Sequence, residues 1–190
     1  MNLVIFGPPG AGKGTQSKFI ANKYNLYQLS TGDLLREEIK NKTDLGSKIS
    51  SIMNSGELVS DDIVGSLIEN FISNEKYKQK IIFDGYPRSL IQAKNLDLLL
   101  KKYDQKINIV LKLSVSLKTV KKRIYERKSQ EQRADDNEKT AIKRYQTYEK
   151  SSEPVVEYYK KSNLLQVING EASISDINSE ISGIIEGLKG

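Results

Sequence analysis

Residues 7–15 read GPPGAGKGT and follow directly on the apolar run LVIF. A stretch of this kind can hold phosphate. Gly7, Gly10, Gly12 and Gly14 allow positive φ and close backbone approach, so successive N–H groups can turn inward towards phosphate oxygens. A helix expected to begin near Lys13 adds its positive N-terminal end. Lys13 supplies a mobile charge for the outer phosphates, and Thr15 offers a hydroxyl to the shell of a Mg²⁺ ion, directly or through water. Gly14 stands where the commoner pattern has Ser or Thr, so the hydroxyl comes one residue later. A glycine-rich turn that binds nothing is the alternative. The strand before the loop, and Phe19, Ile20 and Tyr24 at helical spacing after it, favour the phosphate site.

Of the 30 Lys and Arg residues only Arg36, Arg88, Arg123, Arg127, Arg133 and Arg144 are arginines. Where a solvated charge suffices Lys serves, whereas gripping a phosphate through two parallel N–H bonds requires the planar guanidinium. The scarce arginines are therefore candidates for phosphate contacts. Arg123 and Arg127 lie four apart, on one helical face, and Arg133 follows shortly. Arg88 ends FDGYPR, after an apolar strand. In the same segment Asp84 stands where a carboxylate orients Mg²⁺ and its waters in phosphate-loop proteins, with a simple turn aspartate as the alternative.

Composition removes rival chemistries. The chain has neither Cys nor His, which excludes disulfides, thiolate nucleophiles, zinc knuckles, Ser-His-Asp triads and phosphohistidine relays. The net charge of +6 comes from dispersed lysines without dense tracts or interleaved aromatics, so we expect a solvated surface and no nucleic-acid partner. There is no secretory signal and no apolar run near the length of a membrane span, so no membrane partner and a cytoplasmic location are expected.

The elements that must position these residues alternate. Apolar runs at 2–6, 81–83, 107–115 and 164–168, with a short strand near 27–29, are separated by amphipathic helical stretches. That rhythm predicts an α/β fold: a five-stranded parallel sheet with helices on both faces, and ligands beyond the carboxyl ends of the strands. At 190 residues one principal domain is expected. Helical stretches over 31–41, 44–54 and 60–74 lie between the second and third strands, the first two forming a small insertion at 30–59. Ser60 with Asp61 and Asp62, Asp135 with Glu138, and Ser173 with Asp176 read as helix starts. An irregular piece at 129–132 separates helical stretches over 116–128 and 135–151.

Taken together, GPPGAGKGTQ, LSTGDLLR at 29–36, GELVSDDIV at 56–64, FDGYPRSLIQA at 83–93 and RADDNEKTAIKR at 133–144 resemble the adenylate kinases. That family transfers the terminal phosphoryl group of MgATP to AMP, giving two ADP. The resemblance implies ATP on Gly10, Ala11, Gly12, Lys13, Gly14 and Thr15, with Arg123 and Arg127 as its clamp and the backbone near Ala172 at its adenine. It implies AMP on Thr31, Arg36, the backbone of Glu57, Leu58 and Val59, the run Gly85, Tyr86, Pro87 and Arg88, then Gln92, Arg133 and Arg144. Lys13, Arg88, Arg123, Arg133 and Arg144 would carry the catalysis, with Thr15 and Asp84 on Mg²⁺. Thr31 could instead cap its helix and Gln92 be solvated. Asp135 and Asp136 match carboxylates that pair with arginines in the family, or form a cap.

The family fold also implies two movable pieces, the insertion at 30–59 over AMP and a short lid at 126–132 over ATP. The short lid departs from the long, strand-rich form, and a chain without cysteine cannot build its zinc-bearing version. A monomer is the expectation. The nearest rival, a UMP/CMP kinase, usually carries Ala in place of Thr31 and Asn in place of Gln92. A rival of another class, a non-catalytic nucleotide switch, needs no arginine-lined acceptor site, and no guanine-reading N-K-x-D motif is present.

Overall fold

The computed structural model describes residues 1–131 and 137–188, with side chains for all of these except 128–131. Five strands form one parallel sheet: β1 Asn2–Phe6, β2 Tyr27–Ser30, β3 Ile81–Asp84, β4 Ile107–Ser114 and β5 Leu165–Asn169, in the order β2-β3-β1-β4-β5. In β1, Leu3 and Ile5 point to one face and Val4 and Phe6 to the other, and every one of them is buried. A strand apolar at each position must be covered on both sides, and here helices do so. One face is covered by α2 (Thr31–Lys40), α3 (Asp44–Asn54), α4 (Asp61–Ile72), α5 (Leu90–Lys102) and α7 (Glu138–Lys161), through Leu35, Ile49, Ile68, Leu96 and Tyr159. The other is covered by α1 (Lys13–Tyr24), α6 (Leu117–Glu131) and α8 (Ile174–Gly187), through Ile20, Val120, Ile124 and Ile181. The expected sheet and its two helical layers are therefore present.

The topology creates a crevice. From the carboxyl end of β1 the chain leaves to α1 on one face, and from the adjacent β3 it leaves to α5 on the other. Neighbouring strand ends whose loops part in opposite directions leave an opening between them. The phosphate-type loop sits at one lip and the Asp84–Arg88 segment at the other.

Several helix ends differ from the sequence reading. Residues 129–131 continue α6 as regular helix, so no irregular piece begins at Ser129. Asn137, not Asp135, caps α7: its Oδ1 accepts from the Thr140 N–H at 2.9 Å. Asp135, Asp136 and Arg133 lie outside the described residues. Helix α7 also runs past 151 to Lys161 with Pro154 inside it, because the core takes up Val155 and Tyr159 beyond the proline. Ser173 does cap α8, accepting from the Asp176 N–H.

Helices α2 and α3 cross so closely that a Cβ on Gly46 would stand 2.1 Å from the Glu38 carbonyl oxygen. Backbone on both sides of the contact cannot give. Gly46→Ala is expected to destabilise the chain by about 3 kcal/mol, read as a lowered urea midpoint at unchanged slope.

Candidate active site

The loop after β1 wraps a space bounded by backbone. Gly10 and Gly12 adopt φ of 78° and 94°, conformations open to glycine, and Gly12 ends the loop as α1 begins. Gly7 and Gly14 depart from expectation. Gly7 has no positive φ, and its need is space, since a Cβ there would meet the Leu113 carbonyl oxygen at 2.7 Å; Gly14 is ordinary helix with nothing within 4 Å. Lys13 folds back across the loop, its Nζ donating to the carbonyls of Gly7 at 2.8 Å and Pro8 at 3.0 Å. Burial pulls its pKa down to about 8 against the pull of Asp84, and Arg88, Arg144 and Arg127 push in the same direction as burial. An ammonium so surrounded is short of negative charge, which phosphate oxygens can supply. Thr15 stands exposed at the start of α1, on the wall of the larger cleft.

Across the crevice Asp84 ends β3, 6% exposed, with its Oδ2 accepting from Gln28 Nε2 at 2.8 Å. Burial raises its pKa, and Lys13 and the Gln28 bond oppose that rise. Sequence reading did not single out Gln28. Its signal was an amide on β2, paired in register one residue from Leu29, which faces Phe83. Arg88 donates from Nε to the Gly85 carbonyl at 2.6 Å, and this bond fixes the plane of its guanidinium. Burial, and Arg144 beside it, hold the Arg88 pKa down to about 10, so it remains a cation at neutral pH.

Two pockets meet at these cations. The larger cleft is lined by the loop 9–15, Asp84, Arg123, Arg127 and the first turns of α8 at Ile174 and Ile177. The smaller pocket is lined by Leu35, Met53, the segment Gly56–Val59, Pro87, Tyr148 and Val155, and is largely apolar. Lys13, Arg36, Arg88 and Arg144 line both. Five of the six arginines thus face one crevice, while Arg133 lies outside the described residues. Arg123 also serves the fold, donating to the Ala11 carbonyl at 3.2 Å and the Gly170 carbonyl at 2.9 Å and so tying the phosphate-type loop to the turn after β5. Ala172 lies in that turn, packed on the core.

Thr31 and Gln92 take up positions behind the smaller pocket. Ser30 caps α2, accepting from the Asp33 N–H, which leaves Thr31 to donate its hydroxyl to the Gly85 carbonyl at 3.1 Å. Thr31 is not the cap. Gln92 is 3% exposed rather than solvated, and its amide holds the Arg88 backbone N–H and the Asp61 carboxylate. Arg36 pairs with Asp33, and Glu57 with Lys143 at 3.1 Å. The α7 residues Thr147, Tyr148, Ser151 and Ser152, which complete the smaller pocket, escaped sequence reading because they match no phosphate motif.

Comparison with known proteins identifies the family. The family model described as adenylate kinase matches residues 5–164. The chain belongs to the adenylate kinase family. The adenylate kinase of Pelagibacter ubique is 41% identical, covering 98% of this chain and 100% of the relative. The adenylate kinase of Prochlorococcus marinus is 44% identical over 94% of this chain and 95% of the relative, and that of Archaeoglobus fulgidus 36% identical over the full length of both. As an adenylate kinase family member the chain is a nucleoside monophosphate kinase, and adenylate kinases act on MgATP. No helix among the described residues is long and apolar enough to cross a membrane.

Proposed function

We propose that the larger cleft takes MgATP and the smaller pocket takes AMP, with the phosphoryl group passing between them at the cations common to both, to give two ADP. The observation that carries this reading is the shared wall: Lys13, Arg36, Arg88 and Arg144 border both pockets, while Asp84 borders the larger alone. Positive charge is concentrated where two chains of phosphates would meet. An acceptor phosphate is already anionic at neutral pH, so transfer needs positioning and charge stabilisation and no general base.

In this reading the N–H groups of residues 10–15 cradle the donor phosphates, and Lys13 turns from the Gly7 and Pro8 carbonyls to the outer ones. Arg123 and Arg127 clamp the donor side, and Ala172 places its backbone at the adenine. Arg36, Arg88 and Arg144, with Arg133, grip the acceptor phosphate. The segment 57–59, Gly85–Pro87, Thr31 and Gln92 hold its nucleoside. Asp84 and the Thr15 hydroxyl form a set of hard oxygen donors at the donor phosphates, which suits Mg²⁺, and the raised affinity of the buried Asp84 for a proton marks a carboxylate in want of a cation. The ion would neutralise charge on the donor's outer phosphates.

Closure of 30–59 and 126–132 would keep water from accepting the phosphoryl group. The alignments with the Pelagibacter and Archaeoglobus relatives span 212 and 216 positions, more than the 190 residues of this chain, which supports a shortened lid here. A monomer in the cytoplasm is the expectation that goes with this reading. The test is ADP formation from MgATP with AMP, UMP and CMP. A specificity constant for AMP on the order of 100-fold above the pyrimidines is expected. Faster use of UMP or CMP overturns the acceptor, and ATP binding without any ADP formation returns the chain to the nucleotide switches.

A further inference from the structure

Asp61 opens α4 beside Ser60, and neither residue behaves as a helix start usually does. The Ser60 side chain makes no capping hydrogen bond. The Asp61 carboxylate reaches instead across to α5, where its Oδ1 accepts from Gln92 Nε2 at 2.6 Å. At the other end of the same amide, Gln92 Oε1 accepts from the Arg88 backbone N–H at 2.7 Å. The Gln92 backbone is held as well, its N–H donating to the capping Ser89 hydroxyl at 3.1 Å. The amide thus bridges Arg88, which lines the smaller pocket, and Asp61, two residues beyond Val59 in the pocket's wall.

These two partners decide which end of the amide is which. A backbone N–H can only donate and a carboxylate can only accept. Turning the amide over would set its NH₂ against the Arg88 N–H and its oxygen against the Asp61 carboxylate, replacing two hydrogen bonds by two repulsions. Each amide atom keeps one further hydrogen-bonding position, an acceptor site on Oε1 and a donor site on Nε2. That pair complements an exocyclic amino group beside an unprotonated ring nitrogen. It opposes a carbonyl beside a ring N–H.

We propose that Asp61 is a specificity-determining positioning residue: by locking the orientation of Gln92 it makes the acceptor site take a 6-aminopurine monophosphate and refuse a 6-oxopurine one. The inference rests on the assignment of Gln92 to the acceptor base. AMP and IMP differ at the 6-position and the adjoining ring nitrogen, so their ratio of kcat/KM reads the orientation of the amide directly. A role of Asp61 confined to helix stability would lower both constants together and leave the ratio unchanged.

The test measures that ratio, with MgATP as donor, in the wild type and in Asp61→Asn, Asp61→Ala and Gln92→Ala. The asparagine variant can turn its own NH₂ towards a reversed Gln92, and the alanine variant removes the carboxylate, so in both the AMP-to-IMP ratio is expected to fall about tenfold. The Arg88 N–H still opposes reversal, which keeps some preference. Gln92→Ala is expected to lower the ratio further. If Gln92→Ala lowers it and both Asp61 variants leave it at the wild-type value, the role of Asp61 is overturned and the base assignment stands. If Gln92→Ala leaves the ratio unchanged, or the wild type uses IMP as well as AMP, the base assignment fails and this inference with it.

Discussion

Replacing Lys13 by methionine is expected to lower kcat/KM for ADP formation by on the order of 10³-fold, and at the same time to make the nucleotide-free chain more stable. The loss of activity follows from position. Lys13 is the cation that stands in the cradle itself, and the thioether that replaces it carries no charge to offer the outer phosphates. The gain in stability follows from the same surroundings. Without ligand the half-buried ammonium lies within reach of the charges of Arg88, Arg144 and Arg127, and loss of solvation with these cations holds its pKa down to about 8 from 10.5. The folded state therefore binds this proton less readily than the unfolded chain does. The resulting penalty is complete below about pH 8 and fades as the pH rises from there towards 10.5. The methionine side chain forfeits the two hydrogen bonds to Gly7 and Pro8, which offsets part of the relief, so a net gain of about 1 kcal/mol at pH 7 is expected. Urea midpoints of the two proteins at pH 7 and pH 10 check it: the advantage of the variant should shrink at the higher pH. Equal stability at both values, or nearly undiminished turnover, would sink the account.

That opposition between activity and stability explains why residues of the candidate site stand out in the sequence. A phosphate site is made of groups that serve no fold on their own. Gly10 and Gly12 at positive φ, a half-buried lysine facing arginines and an aspartate at a strand end stand out because packing does not require them. The sheet was legible for a different reason. Strands buried on both faces are apolar without interruption, as LVIF and IIF are, and no polar periodicity competes with that signal.

What stayed hidden is set by tertiary contact. Helix α6 runs on through Ser129, Gln130 and Glu131, where the good helix formers Gln and Glu outweigh the serine that reads as a break. Helix α7 passes Pro154 because Val155 and Tyr159 enter the core beyond it. The apolar half of the smaller pocket uses Met53, Tyr148 and Val155, residues that read as ordinary core. Gln28 and Asp61 matter through their partners Asp84 and Gln92, 56 and 31 residues away. A single sequence carries no mark of such a pairing. The glycine-rich loop with Lys13, and the run from Asp84 to Arg88, are each local in the chain and stand out in it; the pocket walls that α3 and α7 contribute are assembled by packing and do not.

Arg88→Lys separates the geometry of a cation from its charge. The Arg88 Nε is committed to the Gly85 carbonyl at 2.6 Å, which sets the guanidinium plane and leaves the terminal nitrogens as an oriented fork. A lysine has one point of charge on a flexible stem and can either hold the carbonyl or meet a phosphate, not both in fixed geometry. A fall in kcat/KM of tenfold to a thousandfold is expected, about 1.4–4 kcal/mol of lost transition-state stabilisation. A pH effect should accompany it. The same surroundings that bring Arg88 down to about 10 would act on a lysine that starts lower, as they do on Lys13. The substituted side chain would then lose its charge as the pH rises through roughly 8, while Arg88 of the wild type stays charged. The kcat/KM of the variant should therefore decline between pH 7 and pH 9 more steeply than that of the wild type, whose own decline reports Lys13. A variant with wild-type kcat/KM at pH 7 would show that charge alone suffices at this position. One with reduced activity and a profile parallel to the wild type would show that the fork matters while the burial of its charge does not.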